Sequence, residues 1–240
     1  MTKVGPKGRE TKESLIQEIR SALDTHSTAY IFEVENMRNE IMQSIRNELK
    51  GRAVFFLGKK TVMAKALGCT PEEEQRENLS EFAKKLEGNV GLLLVREEVP
   101  SGYTLNEDLG EGIISEAELL TCLDRHEFPE FARPGSIAAE TITVPAGPLM
   151  TRDGIPIPSN LEGQVRQCGL QVSLIRGVVV VPEGPERVIC NEGDKLTPEQ
   201  ARLLKLLNYT MVNFRVKLLY RYRNGFVSAM DGNNDEEQEN

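Results

Sequence analysis

The residues best placed to do chemistry are cationic and gathered around one glycine. A continuous apolar run, Ala53–Leu57 (AVFFL), ends at Gly58-Lys59-Lys60-Thr61, after which Val62, Met63, Ala66 and Leu67 follow a helical rhythm up to Gly68. A strand that turns through glycine into a helix leaves backbone N–H groups free and a partial positive charge at the helix start. Both suit a phosphate oxygen. Lys59, Lys60 and Lys65 add full charges, so the junction reads as a site for a nucleic-acid backbone. The same residues also suit a plain strand-to-helix turn with solvated lysines. A nucleotide-binding P-loop is excluded: its first glycine would fall at Ala53 and its Mg²⁺-binding hydroxyl at Lys60.

Nothing else in the chain offers a reaction. The two histidines, His26 and His126, show no partner at metal-ligand spacing and are read as surface residues. No GxSxG elbow or HExxH helix occurs, and Glu72-Glu73-Glu74 reads as the charged start of a helix. Cys69, Cys122, Cys168 and Cys190 stand far apart with no CxxC pair, which argues for reduced thiols. The chain is therefore expected not to be an enzyme, with no catalytic residue, metal or cofactor. No apolar stretch approaches the roughly 20 residues that span a bilayer, and MTKVGPKGRE lacks a signal-peptide core. A soluble chain made in the cytosol, with no membrane partner, is the expectation.

Charge is unevenly spread. The 240 residues carry a formal net charge of −8, yet positions 1–65 hold twelve Lys+Arg against eight Asp+Glu. Positions 200–230 carry Arg202, Lys205, Arg215, Lys217, Arg221 and Arg223 and no acid. Two basic segments thus flank an acidic middle, and on one face they would present a positive patch to phosphates.

The elements that must hold these residues follow from periodicity. Thr11 is placed to cap a helix with Leu15, Ile16, Ile19, Ala22 and Leu23 on one stripe. Ala29–Val34 reads as a strand, and Ile41, Ile45 and Leu49 mark a second helix ending near Gly51. Ala53–Leu57 and Val90–Val95 read as strands buried on both faces, with a helix over Asn78–Leu86 between them and another over Ser115–Leu123 after them. Proline-rich sequence then surrounds short strands at Thr141–Val144, Gln171–Ile175 and Val178–Val181 and a helix over Leu161–Gln167. Thr197-Pro198-Glu199-Gln200 is a capping box with proline at the first helical position. Val212–Arg223 alternates at period two, placing Val212, Phe214, Val216, Leu218, Tyr220 and Tyr222 on one face. The basic residues fall on the opposite face, and Asn224-Gly225 turns the chain back. The fold class is α/β, with helices packed on a mixed β-sheet and a small β-rich insertion. The first domain is expected over 1–136 together with 197–230, the insertion over 137–196, and a disordered acidic tail over 231–240.

These blocks resemble the ribosomal stalk protein P-zero (L-ten) family. Asn36–Leu49 (NMRNEIMQSIRNEL), KGRAVFFLGKKTVMAKALG, Gly88–Val95 (GNVGLLLV), Ala132–Leu149 (ARPGSIAAETITVPAGPL) and Gly193–Asn208 (GDKLTPEQARLLKLLN) match it in order, over roughly Lys7 to Val227. The chain stops near the strand after which P-zero continues into stalk-recruiting helices and a Phe-rich acidic peptide. KGRETKE and the lysine-rich GKKTVMAKALG with its Glu-rich sequel are similar to an assembly-factor branch of the family. Members of that branch usually have a longer basic N-terminal extension, which is short or absent here.

The resemblance implies a ribosome biogenesis factor that binds stalk-base rRNA on the large-subunit precursor and is later exchanged for P-zero. The alternative it leaves open is a truncated P-zero. Implied contacts are Lys7, Arg9 and Lys12 around the first helix, Arg46, Lys50 and Arg52 at the end of the second, and Lys59, Lys60, Thr61 and Lys65 at the turn. Arg215 and Lys217 are weaker candidates. Implied partners are the precursor particle, a neighbouring L-eleven-type protein and a phosphatase-like release factor. The implied location is the nucleolus and nucleus, with shuttling to the cytoplasm.

Overall fold

The computed structural model describes residues 9–70, 72–97 and 112–230. Packing divides them into two units, the described residues of 1–127 with 215–240, and Phe128–Phe214. The first unit opens with α1 (Arg9–Thr25), β1 (Thr28–Glu35), α2 (Asn39–Glu48), β2 (Ala53–Phe56), α3 (Lys60–Leu67), α4 (Leu79–Lys84), β3 (Val90–Val95) and α5 (Glu116–Arg125). The second contains β4 (Phe128–Glu130), β5 (Ile142–Val144), β6 (Gly147–Pro148), α6 (Glu162–Gln167), β7 (Ser173–Ile175), β8 (Val178–Val181), β9 (Arg187–Cys190) and α7 (Pro198–Leu206). Strand β10 (Val212–Arg223) leads from the second unit back to the first, which closes with β11 (Phe226–Ala229). No described helix is long and apolar enough to cross a membrane.

The fold is α/β, as the alternation of periods implies. Its main sheet runs β11-β10-β1-β3-β2 and is antiparallel in every ladder rather than mixed as expected, because each strand returns against its spatial neighbour. One face buries Ile31, Phe56, Leu92, Leu94 and Tyr222 under Ile19 and Leu23 of α1, Met63, Ala66 and Leu67 of α3, and Leu79 and Phe82 of α4. Paired residues on neighbouring strands share a face. Tyr30, Phe32, Phe55 and Leu93 therefore lie on the other side, where the rings of Phe32 and Phe55 meet edge to face at 5.5 Å. Phe32 also lies over Gly91 of β3, where an added Cβ would fall 2.5 Å from its Cζ.

Several local expectations change on contact with tertiary structure. Helix α1 begins at Arg9, so Thr11 lies inside its first turn; Arg9 and Glu10 are good helix formers that carry the helix back past the hydroxyl. Strand β3 is buried throughout, but among the described strands β2 pairs only with β3 and forms the sheet's edge, leaving Val54 36% exposed and Leu57 40% exposed. Glu72–Glu74 precede a helix that starts only at Leu79. The Glu74 carboxylate reaches forward to accept from the Asn78 and Ser80 amides at 3.1 and 2.8 Å, capping α4 from outside. Those amide hydrogen bonds, Ser80's first, hold its pKa below the usual carboxylate range.

The single basic face expected along β10 does not form. Its register against β1 shifts between Ile31 and Phe32: Tyr220 pairs with Ile31, but Leu218 pairs with Phe32, so Leu219 is the extra residue of a β-bulge. A bulge reverses which side the following residues face. Lys217 and Arg215, opposite Glu33 and Glu35, share a side with Ile31, whereas Arg221 and Arg223, opposite Tyr30 and Thr28, lie on the other.

The second unit has its own core, built on Val165, Val179, Val181, Leu196, Leu203, Leu204 and Leu207. The capping box at Thr197 forms as read, and Gln200 Nε2 also donates to the Ile189 carbonyl at 2.7 Å. This unit takes in the expected 137–196 segment together with β4 and α7. β4 pairs with the start of β10 through Phe128↔Phe214 and Val212↔Glu130. Strands β4 and β6 are too short and too interrupted by proline to announce themselves in sequence, and β9 is only four residues long.

Candidate nucleic-acid interface

The junction after β2 is built by close packing of α1 on α3. Gly58 has ordinary φ; its requirement is space, because a Cβ there would sit 2.9 Å from Leu15 Cδ2 of α1. A Cβ at this position would make the tip of Leu15 give way, so what the glycine accommodates is the approach of a neighbouring helix rather than an unusual turn. Farther along, Arg20 Nε donates to the Ala66 carbonyl at 3.2 Å, closing the C-terminal end of α3. Leu15 lies against the beginning of α3 and Arg20 against its end, so the two helices run side by side in the same direction. Their positive dipole ends therefore point the same way.

That geometry gathers half of the expected contacts. Lys12 stands one turn before Leu15, at the end of α1 that abuts Gly58. Lys59 is the N-cap of α3, makes no side-chain cap, and accepts the Val62 and Met63 amides on its carbonyl at 2.9 and 3.1 Å. Lys60 opens the helix, and Thr61 and Lys65 lie four residues apart on one exposed stripe. Lys12, Lys59, Lys60, Thr61 and Lys65 are all exposed, and none of the four lysines forms an ion pair with a described residue. Arg9 opens α1, and Lys7 lies outside the described residues.

The second group is held apart from the first. Arg46, Lys50 and Arg52 sit at the C-terminal end of α2 and in the turn before β2, so the length of the edge strand, about 15–20 Å, separates them from Lys59. Lys50 is exposed, Arg46 is half-buried with Nε lacking a partner among the described residues, and Arg52 Nη2 donates to the Glu48 carbonyl at 3.0 Å. The two groups mark the two ends of β2, the edge strand that runs between them.

The cations of β10 behave differently. Arg215 meets Glu127 at 3.5 Å, Lys217 meets Glu35 at 2.5 Å, Arg223 meets Glu97 at 3.5 Å, and Arg221 is paired with Glu116. Each is already partnered within the fold, which leaves the α1–α3 junction as the stronger field for an anion.

Neither histidine is the surface residue expected. His26 is buried behind α1, its Nδ1 2.9 Å from the Ala22 carbonyl, and burial first, then the nearby Arg96 and Arg76, push its pKa below 6.5. Arg76, unremarked in sequence, donates to the carbonyls of Ser27 at 3.1 Å, His26 at 2.8 Å and Leu23, closing the end of α1. His126 lies four residues after Cys122 at the end of α5, facing Glu48 of α2. The spacing is that of two ligands on one helical face, and only the fold reveals the third group.

Comparison with known proteins places this architecture. The family model of ribosomal protein L10 matches residues 7–106, from before α1 to beyond β3, and so spans every expected contact at the two ends of β2. A second model, of the insertion domain in the 60S ribosomal protein of this family, matches residues 132–208, inside the second unit. The protein named ribosome assembly factor mrt4 in Neurospora crassa is 36% identical over 91% of this chain and 84% of its own length. Its counterpart in Schizosaccharomyces pombe is 38% identical over 90% of this chain and 84% of its own length. The chain belongs to the mrt4 group of the ribosomal protein L10 family. Similarity to the large ribosomal subunit protein uL10 of Thermococcus sibiricus is more distant, 22% over 91% of this chain but only 57% of that protein. Within the family, the mrt4 group is thus the nearer relation on both identity and length.

Proposed function

We propose that this protein is a ribosome biogenesis factor that occupies the stalk-base rRNA of the large-subunit precursor until the stalk protein P-zero replaces it. Membership of a family whose similar members are named ribosome assembly factors supports the role in biogenesis. The observation that carries the RNA site is the set of exposed cations Lys12, Lys59, Lys60 and Lys65, unpaired among the described residues, at the parallel starts of α1 and α3 in a chain whose net charge is negative. Folded RNA is gripped chiefly through phosphates and shape, which such a cluster suits. Lys7, Arg9 and Thr61 extend this grip, and Arg46, Lys50 and Arg52 form a second foothold at the far end of β2. On this reading the protein lies beside an L-eleven-type neighbour in the nucleolus and nucleus. It travels with the precursor toward the cytoplasm and leaves when a phosphatase-like factor acts.

Holding a site without recruiting translation factors is a task for a binder, not a catalyst. The test is mutual exclusion on an isolated stalk-base RNA fragment. The chain and a P-zero-type protein should compete for one position, and Lys59→Glu with Lys60→Glu should abolish the chain's binding while its circular dichroism is retained. A ternary complex with both proteins on one RNA, or unchanged affinity in the double variant, overturns the proposal.

A further inference from the structure

A second site lies between α2 and α5, away from the lysine cluster. Glu48, Cys122 and His126 each turn one donor atom to a common point, all within 4.8 Å of one another. Cys122 and His126 come from adjacent turns of α5, and Glu48 from the last turn of α2. His126 Nδ1 lies 2.9 Å from the Cys122 carbonyl oxygen. A carbonyl only accepts, so Nδ1 carries a hydrogen, and Nε2 is the ring nitrogen left to offer a lone pair to a metal. Nε2 faces Glu48 Oε2 at 3.5 Å, with the buried Cys122 sulfur beside them. The other Glu48 oxygen is held by Arg125 Nη1 at 2.7 Å, and the carboxylate also accepts a hydrogen bond from the Cys122 thiol, so the three groups already engage one another.

We propose that Glu48 Oε2, Cys122 Sγ and His126 Nε2 form a three-ligand site for a zinc ion. Thiolate, imidazole and carboxylate together are the donor set of Zn²⁺ rather than of Ca²⁺ or Mg²⁺. In a zinc tetrahedron neighbouring nitrogen and oxygen ligands stand about 3.3–3.5 Å apart, the separation His126 and Glu48 already have. The Cys122 sulfur lies within 4.8 Å of both. Binding replaces the thiol proton, which leaves to solvent as the sulfur–metal bond forms. One thiolate and one carboxylate then balance the two charges of the ion. The Nδ1–H bond to the Cys122 carbonyl and the Arg125 pair supply the outer contacts that hold metal ligands in place. Glu48 is 31% exposed, so the fourth position opens to water. The ion would fasten α2 to α5 at the turn from which Lys50 and Arg52 emerge.

Cobalt(II) added to the full chain tests this directly. The expected spectrum saturates at one equivalent, with a thiolate-to-cobalt charge-transfer band and the intense visible bands of tetrahedral cobalt, both bleached by Zn²⁺. Cys122→Ser and His126→Gln should each weaken binding by more than about 100-fold, since outer-shell partners alone are worth about 10–100-fold. Cys69→Ser, at an exposed cysteine elsewhere, should leave the spectrum unchanged. In the unsubstituted chain, one equivalent of Zn²⁺ should protect Cys122 from alkylation, read by peptide mass spectrometry, a measurement that needs no folded variant. An octahedral cobalt spectrum without the thiolate band, loss of that band in Cys69→Ser, or alkylation of Cys122 indifferent to Zn²⁺ overturns the site. Those results leave a thiol beside an ordinary His126–Glu48 pair.

Discussion

Two pairs of basic residues look alike in sequence and should behave differently toward RNA. Lys59 and Lys60 are exposed and form no ion pair with a described residue, whereas Arg215 and Lys217 are held by Glu127 and Glu35. Each phosphate neutralised contributes about 0.7–0.9 to the slope of log affinity against log salt. Replacing Lys59 and Lys60 by alanine should therefore lower that slope by about 1.4–1.8, which at about 0.15 M salt costs roughly 14–30-fold in affinity. Replacing Arg215 and Lys217 should leave the slope unchanged and move affinity by no more than about threefold, because exposed pairs contribute little. The assay is fluorescence-anisotropy titration of a stalk-base RNA fragment across a salt series. Stability serves as the control, with both double variants expected within about 0.5 kcal/mol of the parent at these surface positions. An unaltered slope for Lys59/Lys60, or an equal loss for Arg215/Lys217, would refute the argument that internal ion pairing decides which cations meet RNA.

Further outcomes concern the scaffold. Gly91→Ala places a Cβ against Phe32 and, at 2.8 Å, against Leu57 Cδ2, and should destabilise by about 1–3 kcal/mol through overpacking, read as a lower thermal midpoint. Arg76→Met strands three carbonyls at the end of α1 and should cost about 1.5–3 kcal/mol in urea unfolding. Thr197→Ala removes the α7 cap for about 1 kcal/mol, measured the same way. His26 has a depressed pKa in the fold, so the unfolded chain binds the extra proton first; the native state should be unaffected above pH 6.5 and lose stability as pH falls below it. His26→Gln should flatten that acid limb, and a limb of undiminished size would assign the effect to other groups.

What could be read in advance was whatever is encoded locally. Thr197-Pro198-Glu199-Gln200 states a helix start within four residues, and Val90–Val95 announces a buried strand by composition alone. The lysines at Gly58 were legible for the same reason. Long-range facts were not. The bulge at Leu219 leaves the alternation of Val212–Arg223 intact on paper, since the shift exists only relative to β1. Gly58 reads as a turn residue until Leu15 is seen pressing on it. Cys122 and His126 carry helical spacing, but their third partner, Glu48, lies 74 and 78 positions earlier. Pairing partners determine such features, and a single strand of sequence does not display them.

The pairing of Phe128 with Phe214 has a consequence for how this chain can be rearranged. Directly opposite residues in an antiparallel ladder have their Cα atoms only about 4.5–5.5 Å apart, so everything between them leaves and returns through a doorway one ladder rung wide. A two-residue hairpin spans that gap. Excising 131–211 and joining the stubs with Asn-Gly would spare the five-stranded sheet its longest detour, and a foreign module grafted at the same rung would need only to begin and end side by side.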